Sequence, residues 1–347
     1  MNALRNRGVL AALGAALLFG AGTPAAKLLL GPVSPWLLAG LLYLGSGLGL
    51  AALRLFRRAE PVRLTRSELG WLAGAIISGG VAGPVLLMWG LANMPASGAS
   101  LLLNAEGVFT VLLAWFVFRE NFDRRIALGM ALIVAGAVVL SWPGDAGVGV
   151  ALPELAVLGA CLAWAIDNNL TRKVSLTDAT FVAMVKGLTA GMVNTGLALA
   201  SGSMLPGVKI LIAAGGIGFL GYGLSLALFV IALRHLGTAR TGAYFSTAPF
   251  AGALIAIPLL SEPVTLQLTV AGVLMGIGVW LHLTERHDHR HSHEPLDHEH
   301  AHEHDAHHQH GHVKGSPADA LHRHWHAHEP LTHSHPHFPD AHHRHRH

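Results

Sequence analysis

Charged residues are scarce: they make up 12% of the 347 residues, against about 25% in a soluble globular domain. With 52% hydrophobic residues and a mean hydropathy of +0.47, the chain has too few polar groups to cover an ordinary water-facing fold, and a lipid bilayer is the solvent that fits. Cysteine is nearly absent. The single Cys161 excludes an intrachain disulfide, and its place in an apolar run makes it a small packing residue. A concentrated basic face is also missing. The isoelectric point is 9.3, but lysine and arginine sit in short clusters between apolar runs, which argues against nucleic acid as a partner. No glycine-rich stretch follows a strand. Gly45-Ser46-Gly47-Leu48-Gly49 and Gly215-Gly216-Ile217-Gly218 therefore read as close-packing surfaces, not nucleotide loops.

What is abundant is apolar sequence in pieces of the right length. Crossing the hydrocarbon core takes about 20 mostly apolar residues at about 1.5 Å of rise each. Ten segments qualify: 8–30, 35–55, 69–92, 96–118, 126–142, 152–170, 179–200, 210–233, 239–260 and 266–283. Their joints carry helix-stopping residues, among them Gly31-Pro32, Pro61, Pro95, Pro143-Gly144, Pro206-Gly207 and Pro263. The fold expected is an all-α membrane protein of ten transmembrane helices.

An internal repeat divides those helices. Shifted by 145, Leu13-Gly14-Ala15-Ala16-Leu17 falls on Leu158-Gly159-Ala160-Cys161-Leu162, Phe19 on Trp164 and Lys27 on Arg172. Shifted by 142, Arg119-Glu120 falls on Ser261-Glu262 and Gly107-Val108 on Pro249-Phe250. The repeat retains the first segment as a span, although Arg5 and Arg7 ahead of it would also suit a signal peptide. The halves are 1–143 and 144–284, followed by a tail, 285–347. Each half has five spans, an odd number, so the two repeats are expected to be inverted in the membrane. Basic residues agree. With the N-terminus inside, the inner stretches hold Arg5, Arg7, Arg57, Arg58, Arg63, Arg66, Arg119, Arg124, Arg125, Arg172, Lys173, Arg234, Arg240, Arg286 and Arg290, whereas the outer loops hold Lys209, with Lys27 near an outer helix end. Both termini are expected in the cytoplasm, with the chain in the inner (plasma) membrane.

The Leu-Gly-Ala-Ala-Leu-Leu-Phe-Gly opening of the first half and its echo in the second resembles the EamA-type transporters of the drug/metabolite transporter superfamily. The fourth and ninth spans lead into Phe118-Arg119-Glu120 and Leu260-Ser261-Glu262, ahead of glycine-rich fifth and tenth spans (Gly129 and Gly136; Gly272, Gly276 and Gly278). The resemblance covers about residues 8–284. It implies a ten-helix secondary carrier of a small solute that uses no ATP and is not an enzyme. One departure is visible: the family often has proline where Gly107 stands, as Pro249 does in the second half, and this chain places a carboxylate, Glu106, just before it.

An ionisable group at mid-membrane costs on the order of 2.5 kcal/mol or more, so it normally faces a protein interior or a water-filled path. Glu106 in the fourth span and Lys186 in the seventh are the obvious pair, read either as a coupling site or as a static pin between the halves. Asp167-Asn168-Asn169 forms a polar strip in the sixth span, where Asp167 either lines an inner vestibule or pairs with nearby positive charge. Asn104 and Asn194 either point into the same cavity or bond a neighbouring helix. Gly107 and Pro249 are the candidate hinges, because both weaken the helix ladder at membrane depth. Glu120 and Glu262 read as capping or interfacial charges, and His235 and His282 as interfacial histidines.

All but those two of the 25 histidines lie in the tail, which has too few aliphatic residues to bury a core and is expected to be disordered without ligand. They recur at every second residue: His287, His289, His291 and His293; His298, His300, His302 and His304; His322, His324, His326 and His328; His333, His335 and His337; His343, His345 and His347. In an extended chain such residues share a face, and imidazole is a favoured ligand of zinc, nickel and copper. Several weak, exchanging sites are expected, with Asp288, Asp297, Glu299, Glu303 and Asp305 adding oxygen donors. No required cofactor is implied. Expected partners are the bilayer, a small solute and divalent metal ions. Three functions fit: a carrier whose substrate or regulator is a transition-metal ion, a metabolite exporter whose tail only buffers metal, and a non-transporting membrane sensor that reports metal to a partner.

Overall fold

A computed structural model describes residues 7–59, 61–62, 64–118, 124–142, 152–171, 174, 178–236, 238–283, 288–292, 296–302, 322–328 and 332–336. They fall into a helical unit, Met1–Glu285, and a tail unit, Arg286–His347.

The helical unit opens with α1 (Arg7–Lys27) and α2 (Pro35–Phe56). Ser34 caps the start of α2, where a proline that lacks an N–H costs nothing. Then come α3 (Arg66–Ala75), a π-helical turn (Ile76–Ala82) and α4 (Gly83–Asn93), which together form one continuous apolar rod, Arg66–Asn93. A capping box between Thr65 and Glu68 fixes where that rod begins. Next are α5 (Ala96–Leu102), α6 (Ala105–Phe118) and α7 (Arg124–Ser141). The second half repeats the order with α8 (Leu152–Thr171), α9 (Ala179–Ala200), α10 (Val208–Gly218), a second π-helical turn (Phe219–Leu224), α11 (Ser225–Leu236), α12 (Thr238–Phe245), α13 (Ala248–Leu260) and α14 (Leu266–Leu283).

Among the described residues six helices are long and apolar enough to cross a membrane: Arg7–Lys27, Pro35–Phe56, Arg66–Asn93, Ala96–Leu113, Ala179–Ala200 and Val208–Ala232; three shorter apolar ones are Arg125–Ser141, Ala248–Leu260 and Leu266–Leu281. Leu48, Ile77, Ile212, Leu254 and Val273 on these helices are exposed, a pattern suited to hydrocarbon and unfavourable in water.

Two expected spans are each two helices. The segment 96–118 breaks between Leu102 and Ala105, and 239–260 breaks between Phe245 and Ala248. The hinges expected at Gly107 and Pro249 lie just beyond these breaks: Gly107 is the third residue of α6, and Pro249 occupies the first turn of α13. A proline there starts a helix instead of bending one.

The helices pair as two related halves would. By chain order α1 corresponds to α8, α2 to α9, α4 to α11, α6 to α13 and α7 to α14. Accordingly α2 packs on α9 and α7 on α14, while α1 packs on α11 and α13 just as α8 packs on α4 and α6. Small residues allow the α2–α9 contact. A Cβ on Gly191 would stand 2.5 Å from the Leu44 amide nitrogen, and one on Gly187 would stand 2.8 Å from that of Gly47. Leu37, Leu38, Leu42, Leu87, Leu91, Leu102, Val157 and Met275 fill the interior between the halves.

At one end of the α2–α9 pair, Arg54 bonds Asp178, the residue that caps α9, and also donates to Thr180 Oγ1 at 3.0 Å. Burial pushes the Asp178 carboxyl up, but hydrogen bonds from Thr180 and Arg54 and the Arg54 charge outweigh it and hold the group below the usual carboxylate range. A carboxyl depressed in the folded state stabilises above its unfolded value, about 3.9, and that contribution is lost as pH falls through the folded value. Asp178→Asn keeps a capping oxygen and removes the charge. It is expected to lower the melting temperature at neutral pH, and melting curves of the two proteins should converge as the pH is brought below 3.9, the ordinary aspartate value.

The tail was expected to lack structure, and its described residues differ. Strands β1 (Asp288–Ser292) and β4 (Thr332–Pro336) pair antiparallel, as do β2 (Leu296–His302) and β3 (His322–His328). Alternation with a period of two residues is a strand pattern whatever residue carries it, which is why the same histidine spacing that suggests ligands also suits a ladder. His287, His293, His304, His337, His343, His345 and His347 lie outside the described residues, as do Arg119, Glu120, Arg172 and Lys173.

Candidate functional site

The polar centre of the helical unit is built on α8. Trp164, Asp167, Asn168 and Thr171 recur at helical spacing and so lie along one side of it. Lys186 on α9 reaches Asp167, with Nζ donating to Oδ1 at 2.6 Å and to Oδ2 at 2.5 Å; Thr171 Oγ1 also donates to Asp167 Oδ1, at 2.8 Å. The pair is largely withdrawn from solvent, with Asp167 buried and Lys186 half-buried.

Lys186 therefore bonds Asp167 and not Glu106, the partner that opposite charge alone suggested. The reason is geometric: α8 and α9 follow one another in the chain, and Asp167 lies within direct reach of the Lys186 ammonium. Glu106, in the first turn of α6, accepts instead from Asn168 Nδ2 at 2.8 Å. Thr110, one turn on, donates to the Glu106 carbonyl at 2.8 Å, and its Oγ1 lies 3.5 Å from Asn168 Nδ2. Asn168 is exposed and Glu106 is half-buried. Asp167 and Lys186 both act electrostatically on Glu106. The result is one site with two linked parts: a closed ion pair, and beside it a carboxylate that accepts from the neutral Asn168 amide.

The π-helical turn Ile76–Ala82 shapes the wall behind the ion pair. A π turn shifts the backbone ladder and frees carbonyls for other partners. Gly79 O accepts from Trp164 Nε1 at 2.8 Å and from Tyr43 Oη at 3.0 Å, and Gly80 O accepts from Asn194 Nδ2 at 3.1 Å. Gly79 also makes room, since a Cβ there would collide with the Asp167 carboxylate. Asn194, fully buried and bonded as well by Trp36 Nε1 at 3.3 Å, belongs to this wall. Asn104 sits at the break before α6, where its Nδ2 donates to Leu101 O at 2.9 Å. Of the residues singled out in the sequence, Glu106, Asp167, Asn168 and Lys186 come together, while Asn104 and Asn194 serve backbone that the helix irregularities leave open. Gly79, Thr110, Trp164 and Thr171 were missed. The Gly79-Gly80 pair in the third span and Gly221-Tyr222-Gly223 in the eighth were the available signal.

At another joint between the halves, Glu262 caps α5: Ala96 N donates to its Oε1 at 2.6 Å and Ser97 N to its Oε2 at 2.9 Å. Lys27 bonds the carbonyls of Leu91 and Met94 at the end of α4, the latter at 2.7 Å. Each charge stabilises the helix end of opposite partial charge. Among the described residues of the helical unit, no three His, Cys, Asp or Glu side chains converge to hold a metal ion, and Cys161 is free and buried.

The sequence profile of the EamA-like transporter family matches this chain twice, over residues 6–142 and 151–284. An uncharacterised transporter of Methanothermobacter thermautotrophicus is 29% identical over 295 residues, which is 79% of this chain and 85% of that protein. The probable 4-amino-4-deoxy-L-arabinose-phosphoundecaprenol flippase subunit ArnE of Pseudomonas fluorescens is 36% identical over 107 residues, 30% of this chain and 91% of the subunit. That small subunit is thus spanned by less than one of the two matched halves. A solved crystal structure shares the fold, with a TM-score of 0.60 at 19% identity, covering 81% of this chain and 99% of that one.

Proposed function

The chain belongs to the EamA-like transporter family, and from that premise we propose that it is a ten-helix secondary carrier of a small solute whose coupling site is Glu106. The two halves lie in opposite membrane orientations, both termini are cytoplasmic, and the site sits between them. Inverted halves can exchange inward-open and outward-open shapes around one central site. The observation that carries the reading is the asymmetry of the two carboxylates. Asp167 is neutralised by Lys186, so the pair can hold its charge without help from the solute. Among the described residues the Glu106 carboxylate is hydrogen-bonded by Asn168, a neutral amide that can donate to a carboxylate or, turned over, accept from a protonated acid. Glu106 is the group that takes up and releases a proton or small cation during the cycle. The break between α5 and α6 lies one residue before its helix turn, and Pro249 starts the counterpart helix after the corresponding break; movement at these breaks changes access to the carboxylate.

The tail adds a metal connection. Its histidines bind divalent transition-metal ions on the cytoplasmic side, and the ion acts as substrate or regulator of the carrier. A metabolite carrier with the tail as a passive buffer is the second reading, favoured by the family. Deleting 285–347 separates them. If metal acts through the tail, transport by the shortened chain persists but no longer responds to added zinc; an unchanged zinc response leaves the tail a buffer. Loss of detectable transport in the full-length protein across all solutes would favour a sensor.

A further inference from the structure

Each broken span resumes with a helix, α6 in the first half and α13 in the second, and the two helices start differently. The shift of 142 that sets Gly107 on Pro249 sets Glu106 on Ala248. The first turn of α6 therefore carries a carboxylate, whereas that of α13 carries no acidic residue, and Thr247 ahead of it gives no side-chain cap. A helix start bears partial positive charge and backbone N–H groups that have no partner within the helix. Here they belong to Ala248 and Phe250, since Pro249 has none. Ala248 is buried, and a buried helix start of this kind suits an anion.

A second feature meets that helix start. Phe19 and Thr23 of α1, Ser100 of α5, and Ala248 and Pro249 of α13 line a gap too narrow to admit a water molecule. Ser100 is 1% exposed, and among the described residues its Oγ has no hydrogen-bond partner. A buried hydroxyl left unsatisfied is costly in a packed fold and calls for an explanation. Its counterpart under the shift of 142 is Gly242, so only the first half supplies it. Phe19 gives the gap an apolar wall that continues beyond it: its ring lies 5.3 Å from that of Phe245 and meets that of Tyr222 edge-on at 5.8 Å.

Resting on the reading of the chain as a carrier, we propose that this gap is the collapsed form of a solute subsite for a carboxylate group. Ser100 Oγ and the N–H groups at the start of α13 donate to the carboxylate, and the apolar body of the solute lies against Phe19, Tyr222 and Phe245. The solute's carboxylate thus takes, in the second half, the place that Glu106 holds in the first. Helix starts interrupted at membrane depth, between two repeats, are suited to the anionic group of a solute. The subsite opens as the breaks part, because α5 ends at one break and α13 begins at the other. An inorganic anion has the charge but no body to cover the aromatic wall.

Titration calorimetry on the full-length protein in nanodiscs tests this, with phenylacetate and hexanoate each set against its neutral amide. The carboxylates are expected to bind about tenfold or more tighter than the amides, as hydrogen bonds to a charged group require. Chloride and phosphate in excess are expected not to compete. Ser100→Ala is expected to weaken carboxylate binding about tenfold, to leave amide binding unchanged, and to keep or raise the melting temperature, because the hydroxyl has no partner to lose. Ala248→Glu gives α13 the carboxylate that α6 has and is expected to abolish carboxylate binding; should that variant fail to fold, Ser100→Ala decides. Equal affinity for acid and amide, no binding of either acid, or unchanged binding in Ser100→Ala would overturn the subsite. Displacement by chloride or phosphate would overturn the organic carboxylate in favour of an inorganic anion. The carrier reading fails separately: flux of neutral or cationic solutes in proteoliposomes, without carboxylate binding, refutes the subsite and keeps the carrier.

Discussion

Glu106→Gln is expected to reduce coupled transport to background while leaving the protein folded and inserted. Glutamine keeps the shape and an oxygen that can still accept from Asn168 Nδ2, so the hydrogen bond seen at 2.8 Å survives in kind. Losing the charged acceptor costs on the order of 1 kcal/mol of stability, too little to unfold a domain. What glutamine cannot do is gain and lose a proton. Size-exclusion profile and melting temperature report folding, and solute flux under an imposed pH gradient reports coupling. Near-normal coupled flux in the variant would remove Glu106 from the mechanism and leave it a structural acceptor for α8.

The second large effect concerns Asp167 and Lys186. Breaking a buried pair by removing one partner costs about 3–5 kcal/mol, because the remaining charge is left uncompensated, whereas replacing both by apolar or neutral groups of similar size is often close to neutral. Asp167→Asn alone and Lys186→Met alone are therefore expected to be poorly expressed and of low melting temperature, with the double variant largely restored. Transport separates two roles. If the pair tunes the field at Glu106, the stable double variant folds but carries solute slowly or with a shifted pH profile. If it only pins α8 to α9, the double variant transports as the unaltered protein does.

These pairings also mark where sequence reading stops. Apolar length and helix-stopping residues identified the helical segments, and the shifts of 142 and 145 identified two related halves, because hydropathy and repetition are local or one-dimensional properties. The family resemblance drawn from the span openings and from Glu120 and Glu262 is matched across both halves. The partner of Lys186 was not legible. Opposite sign gave Glu106, whereas the actual partner is Asp167, because the choice depends on which helix brings a carboxylate within 2.6 Å of the ammonium, a property of packing. The π turns at Ile76–Ala82 and Phe219–Leu224 were equally hidden, since inserting a wide turn leaves hydropathy unchanged and two glycines in a span read first as packing residues. Gly107 drew attention for its weak helix propensity, yet the backbone gives way at Leu103 and Asn104. In the tail, the alternation of histidine was plain, but register joins residues far apart in the chain, such as His289 and His335, and no short window contains it.

The carrier reading is tested most directly by proton movement that depends on solute. Purified protein is sealed into proteoliposomes with a pH-sensitive dye inside, a panel of solutes is added outside one at a time, and internal pH is followed with and without an imposed gradient. For at least one solute the account predicts that its movement changes internal pH, that a pH gradient drives its accumulation, and that Glu106→Gln abolishes both. Solute movement that is indifferent to the gradient and leaves internal pH unchanged, in both the unaltered protein and Glu106→Gln, would contradict it.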